Sequence, residues 1–190
     1  LPSFGAPPPP QDFADVVPKV QTELLEREEK PADARFGDYV LLGRVAGGGM
    51  AEIQLAVQVG AHGFQKPCVI KRITKERLDD TDYQRLFREE GRICTALRHP
   101  NIVKFYEFDE VDEVPYLAME LVDGVDAAQL HAMAPAGAMP LKAILEIGAR
   151  VSDALAYAHT LRRPDGTPLR IIHRDISPQN ILVSREGEVK

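Results

Sequence analysis

Apolar and polar positions follow two different periods along this chain, the first typical of strands and the second of helices. Between residues 52 and 59, apolar residues alternate with mostly polar ones, which predicts a half-buried strand. Apolar runs bounded by turn residues predict four more strands, at 39–45, 67–73, 101–108 and 114–122. The first part of the chain is therefore expected to form a sheet of five strands.

The helical period appears in two segments. Within residues 79–97, Leu86, Ile93 and Leu97 fall on one stripe, so a helix is expected between the third and fourth strands. A second helix is predicted over residues 140–161, with an apolar face made of Leu141, Ile144, Val151, Leu155 and Ala158. The end of the chain predicts a polar loop followed by a short hairpin.

Residues 1–35 differ in composition from the rest and predict a disordered, proline-rich leader. The run APPPPQ favours polyproline II conformation. The charged segment 19–30 could form a short helix, but the sequence offers nothing for it to pair with. The chain begins with Leu1 and ends at Lys190 inside a strand-like run, so we expect it to be part of a longer protein.

Composition and charge argue against several classes of function. The net charge of −6, without a basic stripe, argues against general nucleic-acid binding. No apolar run approaches the roughly 20 residues of a membrane-spanning helix, and the N-terminal residues do not form a secretory signal pattern. Cys68 and Cys94 lie in apolar segments without metal-ligand spacing, which indicates buried thiols in a reducing cytoplasm.

Two features of the predicted sheet suggest phosphate chemistry. Three glycines at 47–49 lie between strands, where backbone N–H groups could approach phosphate oxygens closely. A flexible hairpin explains these glycines equally well. Lys71 shares a strand face with Val69 and Ile73, and a lysine on an apolar face needs an anionic partner to offset its desolvation.

The first predicted helix supplies that partner. Glu90 follows Leu86 by four residues and precedes Ile93 by three, which places its side chain on the apolar stripe. Glu89 falls on the charged face, where a solvated helix pair is expected. The spacing therefore predicts that Glu90 meets Lys71.

The polar loop HRDISPQN, residues 173–180, holds Asp175 and Asn180 between two apolar pairs that we expect to clamp it to the core. Asparagine can bind Mg²⁺ without adding charge. An ionised aspartate can orient a hydroxyl group and accept its proton late in a transfer reaction. Pro178 stiffens the loop further. A plain surface loop would explain neither the His-Arg-Asp run nor the asparagine.

Taken in order, these features resemble the eukaryotic-type Ser/Thr protein kinase family, and in particular its bacterial members in myxobacteria and their relatives. The resemblance covers about residues 36–190 and rests on the motifs GGMAEI, CVIK, LRHPNIV, AMELVDG and HRDISPQN. It implies an α+β kinase fold. Residues 36–122 would form a complete N-lobe, a five-stranded antiparallel sheet with helix C. Residues 123–190 would form the hinge and a partial C-lobe through the catalytic loop.

The resemblance also implies roles for the site residues, with ATP and Mg²⁺ as cofactors. Lys71 would hold the α- and β-phosphates and pair with Glu90, Asp175 would be the catalytic base, and Asn180 would hold one Mg²⁺. The residues implied to contact the nucleotide are Gly48 and Gly49 over the phosphates, Ala46 and Gly47 in the same glycine-rich segment, Ile53, Val69 and Leu182 around adenine, Met119 as gatekeeper, Glu120 and Leu121 at the hinge, and Asp126 at the ribose.

Four further residues receive structural or regulatory roles from the resemblance. Arg174 would pair with a phosphorylated activation loop, because arginine binds phosphate well. Cys94, Phe105 and His173 would form three tiers of the packed column that joins the lobes.

Three departures from the family pattern qualify the expected activity. The glycine motif appears as Ala46-x-Gly48-x-x-Ala51, Ser177 stands where Ser/Thr kinases usually carry lysine, and the 190 residues contain no Asp-Phe-Gly triplet after the catalytic loop. We expect the parent protein to phosphorylate Ser or Thr of protein substrates, with a cytoplasmic kinase domain, and this chain alone to be inactive. The substrate and any membrane anchor stay open.

Two other functions remain open at this point. A pseudokinase would keep the fold as a nucleotide-binding scaffold without phosphoryl transfer, in agreement with Ser177 and the altered glycines. A small-molecule phosphotransferase of the same fold would share the lysine and the Asp…Asn loop, but such enzymes usually lack the arginine of HRD and the HPNIV stretch.

Overall fold

The computed structural model of the protein describes residues 35–47, 51–61, 64–134 and 139–190. These residues form two compact units. The sheet unit contains the described part of Lys19–His99 together with Val103–Leu121, and the helical unit contains Pro100–Ile102 together with Val122–Lys190. Within the described ranges, no helix is long and apolar enough to cross a membrane.

Among the described residues, six strands of the sheet unit form one antiparallel sheet in the order β1-β2-β3-β4-β6-β5. Their bounds are β1 Arg35–Phe36, β2 Tyr39–Gly47, β3 Ala51–Val59, β4 Gln65–Ile73, β5 Phe105–Val111 and β6 Val114–Glu120. All five predicted strands are present. The additional β1 is a short edge strand that turns back through Gly37 with a φ of 57°. Arg35 therefore belongs to the sheet, and the rest of the predicted leader lies outside the described residues.

The fourth predicted strand begins later than its apolar run indicates. The run starts at residue 101, but β5 starts at Phe105. Asn101 belongs instead to the helical unit, where its Nδ2 donates a hydrogen bond of 2.8 Å to the carbonyl of Val189. The apolar residues at the start of the run are therefore not part of β5.

The centre of β3 is buried on both faces, so the predicted half-buried strand is wrong there. Leu55, Ala56 and Val57 are exposed by only 0%, 0% and 6%. Leu55 and Val57 pack in one cluster, whereas Ala56 packs on the other face in a cluster that contains Tyr39 and Tyr116. The alternation of polar residues fails because Ala56 lies among large aromatic side chains.

Tyr39 and Tyr116 also share one carboxylate in the sheet unit. Their hydroxyl groups donate to Glu107 Oε1, with O–O distances of 2.5 Å and 2.7 Å. Burial raises the pKa of both tyrosines, and the hydrogen bond to Glu107 raises it further. Two donors thus satisfy a carboxylate that the sheet places beside the aromatic cluster.

The first helix, α1, spans Thr81–Cys94 and begins at Asp80, whose side chain accepts a hydrogen bond of 3.0 Å from the amide of Tyr83. Its buried residues are Phe87 and Gly91. The predicted stripe is wrong in phase, since Leu86 is 53% and Ile93 37% exposed. The helix turns its glycine toward the sheet because a residue without a side chain permits the closest approach.

The described part of the helical unit contains two α-helices and a small sheet. The helix α2, which the hydrophobic pattern did not predict, spans Ala127–Met133, and α3 spans Leu141–Thr160. The strands β7 Gly124–Asp126 and β8 Leu182–Ser184 pair antiparallel. The core of this unit consists of Val125, Leu130, Val183 and Val189, with Ile147 and Val151 packed against them.

The predicted face of α3 is only partly covered by the described residues. Ala158 is buried and Val151 is half-buried, but Leu141 and Ile144 are 69% and 49% exposed. The predicted hairpin at the end of the chain is confirmed. Leu182 and Lys190 exchange two backbone hydrogen bonds of 2.9 Å each.

Candidate active site

In the sheet unit, Lys71 and Glu90 form a direct ion pair. Lys71 lies on β4 opposite Ile53 of β3 and Leu117 of β6. Its Nζ lies 2.5 Å from Glu90 Oε1, with side-chain exposures of 24% and 48%. The predicted pairing is therefore confirmed. The partner of the lysine is held by a helix, and the lysine itself is held by the centre of a sheet.

Glu90 reaches Lys71 from the edge of the buried face of α1. It lies three residues after Phe87 and directly before Gly91, the two buried residues of the helix. Glu89 points to solvent and pairs with Arg85 at 3.4 Å, which confirms the prediction of a solvated helix pair. Glu90 thus meets Lys71 although the predicted apolar stripe, through Leu86 and Ile93, lies one residue away from the buried face.

The surroundings of the ion pair are apolar. Lys71 Nζ lies 5.8 Å from the centre of the Phe87 ring, a distance at which cation and ring attract each other. Cys94, one turn after Glu90, packs against the same cluster as Phe105 and Met119. Burial raises the pKa of the Cys94 thiol to about 12, so this group is neutral and adds no charge next to the pair.

The other predicted nucleotide contacts of the sheet unit lie on neighbouring strands. Ala46 pairs with Ile53 at the end of β2, and Gly47 pairs with Glu52. Val69 is buried on β4 and lies opposite Met119 of β6. Gly48 and Gly49 lie outside the described residues.

At the predicted hinge, Glu120 forms two hydrogen bonds with the backbone of Lys104. Its backbone N–H donates to the Lys104 carbonyl at 2.8 Å, and its Oε1 accepts from the Lys104 N–H at 2.8 Å. Leu121 packs against the cluster of Leu42, Leu55 and Val57. The Glu120 N–H therefore stabilises the sheet edge.

In the helical unit, Asp175 and Asn180 are in contact. Asn180 Nδ2 donates to Asp175 Oδ2 at 2.8 Å and to the Asp175 carbonyl at 3.0 Å. The 3₁₀ turn Pro178–Asn180 makes this possible, because the Asn180 amide donates to the Ser177 carbonyl and folds the chain back. Both nitrogen-bound hydrogens of the side chain thus face Asp175, and the amide oxygen of Asn180 points away from it.

The residues before Asp175 shape the approach to its carboxylate. Arg174 has a φ of 65°, in the left-handed region, and the Asp175 N–H donates to His173 Nδ1 at 3.3 Å. Asp175 and Asn180 are exposed, as the loop would require if they are to meet a substrate. The predicted clamp is only half correct. Ile181 packs on the core of the helical unit, but Ile172 is 65% exposed.

Asp126 and Leu182 are neighbours in the helical unit, paired between β7 and β8. One carboxylate oxygen of Asp126 accepts a hydrogen bond of 2.8 Å from the Gln129 amide and caps α2. The sequence carries a signal for this role, because aspartate three residues before glutamine is a frequent helix start. The cap uses one acceptor position of the carboxylate and leaves others for a ribose contact.

The oxygen donors available for a metal are few. No group of three or more His, Cys, Asp or Glu side chains with metal-binding geometry occurs among the residues that the structure describes. Asn180 offers one amide oxygen, and Asp175 offers its carboxylate. Both are hard oxygen donors of the kind that Mg²⁺ prefers, and Mg²⁺ in such sites usually takes its other ligands from phosphates and water.

Comparison with known proteins gives a consistent result. Residues 39–190 match the family described as protein kinase domain. The chain is 35% identical over 175 residues to the tyrosine-protein kinase MasK of Myxococcus xanthus, covering 91% of this chain and 27% of that protein. It is 32% identical over 154 residues to the serine/threonine-protein kinase PrkC of Bacillus subtilis, covering 81% of this chain and 22% of that protein.

A solved structure supports the same assignment. The kinase domain of Mycobacterium tuberculosis PknI superposes with a TM-score of 0.64 at 26% identity, and the match covers 84% of this chain and 60% of that chain. The chain spans about a quarter of the length of the curated relatives it matches.

Proposed function

Because the chain belongs to the protein kinase family, of the bacterial eukaryotic type, we propose that the whole protein transfers the γ-phosphate of ATP to serine or threonine hydroxyls of other proteins. The observation that carries the proposal is the contact between Asp175 and Asn180, with an exposed carboxylate 2.8 Å from an amide nitrogen. This arrangement leaves one carboxylate for a hydroxyl proton and one amide oxygen for a cation.

The pairs Asp175–Asn180 and Lys71–Glu90 have different roles in the proposed reaction. The substrate hydroxyl oxygen attacks the γ-phosphorus, the bond to the bridging oxygen breaks, and ADP leaves with the electron pair of that bond. Asp175 orients the hydroxyl group and accepts its proton late in the transfer. Lys71 binds the α- and β-phosphates, and Glu90, at 2.5 Å from its Nζ, keeps the ammonium group in place.

Mg²⁺ would be held by the amide oxygen of Asn180, the atom of the side chain that can ligate it. The two hydrogen bonds from Nδ2 to Asp175 orient this oxygen away from Asp175. When bound, the ion neutralises phosphate charge during transfer. Adenine would contact Ile53, Val69 and Leu182, which the resemblance assigns to it. Since ATP is the cosubstrate, we further propose that the kinase domain is cytoplasmic.

The choice of serine and threonine over tyrosine is the finer part of the proposal. PrkC is named a serine/threonine kinase and MasK a tyrosine kinase. Ser177 stands where Ser/Thr kinases usually carry lysine, so this position is the one to examine. Phosphoamino acid analysis of a phosphorylated protein substrate separates the two specificities directly.

The test compares whole-protein variants in a radiolabelled ATP assay with a protein substrate. Asp175→Asn should lose at least about 100-fold in kcat, because it removes the proton acceptor. Glu186→Gln, which changes an exposed carboxylate of the same unit, is the matched control and should retain the wild-type rate. A wild type without transfer would indicate a pseudokinase, and label on a small alcohol but on no protein would indicate a small-molecule phosphotransferase.

A further inference from the structure

The backbone of α1 rests directly on an aromatic ring at Gly91. A Cβ added to Gly91 would lie 2.3 Å from Phe108 Cδ2, 2.6 Å from Cε2 and 2.7 Å from Cγ. Phe108 is part of β5, so the ring is fixed to the sheet. The helix can occupy its present position only because residue 91 has no side chain.

Phe87 and Glu90 connect the Gly91–Phe108 contact to the Lys71–Glu90 ion pair. Phe87, one helical turn before Gly91, is 3% exposed, and the centre of its ring lies 6.2 Å from that of Phe108. Lys71 Nζ lies 5.8 Å from the Phe87 ring, and Glu90 is the residue next to Gly91. The depth at which α1 sits on β5 therefore sets the position from which Glu90 reaches the lysine.

We infer that Gly91 is a positioning residue for the Lys71–Glu90 pair, with Phe108 as the surface against which it sets α1. An ordinary carbon–carbon contact is at least 3.4 Å, so an alanine at 91 would force the helix or the ring to move by about 1 Å. Buried packing does not absorb such a change without displacement. Where the helix takes up this movement, the 2.5 Å contact between Lys71 and Glu90 lengthens beyond a strong hydrogen bond.

Of the two helical glycines that the structure describes, only Gly91 meets this restriction. Gly148, on α3, has no atom within 4 Å of the position of an added Cβ. Elsewhere in a helix, replacing glycine by alanine raises helix propensity and is expected to stabilise. Position 91 thus carries glycine, a residue of low helix propensity, because close packing against Phe108 leaves no room for a Cβ.

The inference rests on the proposed function, and its test uses the whole protein with ATP and a protein substrate. Gly91→Ala is expected to lower kcat about 10- to 100-fold, the range that a displacement of about 1 Å can cause. Phe108→Val removes the ring. In that background, adding Gly91→Ala should change kcat little, so the double variant should keep most of the rate of Phe108→Val alone. Arg92→Ala, which adds an alanine at an exposed position of the same helix, is the control and should keep the wild-type rate.

A second pair of variants separates positioning from general loss of stability. If Gly91 acts through Glu90, then Gly91→Ala introduced into Glu90→Gln should cause less than about a twofold further loss. An additive loss in that background, an unchanged rate for Gly91→Ala alone, or no recovery with Phe108→Val would each overturn the inference.

A structural measurement keeps the inference testable if the wild type transfers no phosphate, which would refute the proposed function alone. In a crystal structure of Gly91→Ala, which keeps the Phe108 ring, the Lys71 Nζ–Glu90 Oε1 distance should exceed 3.5 Å. With Phe108→Val the distance should return to hydrogen-bonding range. An unchanged short distance in Gly91→Ala would overturn the inference independently of activity.

Discussion

The contact between Asn180 and Asp175 makes a sharp prediction for Asn180→Asp. In the native chain the Asn180 side chain donates two hydrogen bonds to Asp175, at 2.8 Å to the carboxylate and at 3.0 Å to the carbonyl. Aspartate has nearly the same shape but no hydrogen to donate. The substitution therefore replaces two attractive contacts by a carboxylate oxygen that faces another carboxylate and a carbonyl.

The size of the repulsion follows from the distance. Two unit charges 2.8 Å apart repel by about 1.5 kcal/mol in water and by about 6 kcal/mol at an effective dielectric constant near 20. The loop is exposed, so the value should lie toward the lower end. Even that end corresponds to about a tenfold effect on the population of the native loop geometry. We expect kcat of Asn180→Asp to fall at least tenfold, because the displaced Asp175 no longer meets the substrate hydroxyl.

The assay is steady-state phosphoryl transfer by the whole protein with saturating ATP and Mg²⁺. Gln179→Glu is the matched control, since it adds the same charge to the neighbouring exposed residue without replacing a donor to Asp175. Raising the salt concentration should recover little activity in Asn180→Asp, because the two carboxylates lie well inside a screening length. Equal losses in the two variants would show that net charge matters rather than the contact, and full activity in Asn180→Asp would refute the reasoning.

Three further predictions concern stability and are checked by urea unfolding. Tyr116→Phe removes one of the two donors to Glu107 and should cost about 1.5–3 kcal/mol, the usual value for a hydrogen bond to a charged group; a change below about 0.5 kcal/mol would contradict it. Glu113→Gly should raise the free energy of unfolding by about 1 kcal/mol, because Glu113 has a φ of 63° in the β5–β6 turn and glycine adopts that conformation without strain. A lower free energy of unfolding would show that the Glu113 side chain contributes more than the strain costs. Burial raises the pKa of the Cys68 thiol from 9.0 to about 11. The contribution of the protonated thiol to the free energy of unfolding should therefore be fully present below pH 9, decline by about 1.4 kcal/mol per pH unit as pH rises, and be lost above pH 11. Under reducing conditions Cys68→Ala should lose that part of the alkaline slope, and an unchanged slope would show that the thiol does not titrate differently on unfolding.

The candidate residues of the polar loop were identifiable from the sequence because they lie within eight consecutive positions, 173–180. Asp175 and Asn180 are five residues apart, and one 3₁₀ turn brings them into contact. Lys71 was identifiable as a charged group on a strand face that it shares with Val69 and Ile73. The helical period indicated Glu90 as its partner, although the phase of the predicted apolar stripe is wrong. The strand runs were equally clear, since alternation with a period of two reflects the geometry of a single extended segment.

The sequence by itself indicated five strands of the sheet, the helices α1 and α3, and the charged residues of the candidate site. The tertiary structure decided the rotation of α1, the burial of Ala56 on the second face of β3, and the pairing of the edge strand β1. Each of these depends on what another segment places alongside: the ring of Phe108 under Gly91, or the aromatic cluster over Ala56. Local periodicity describes one segment at a time, whereas close packing is a property of two surfaces that meet only after the chain has folded.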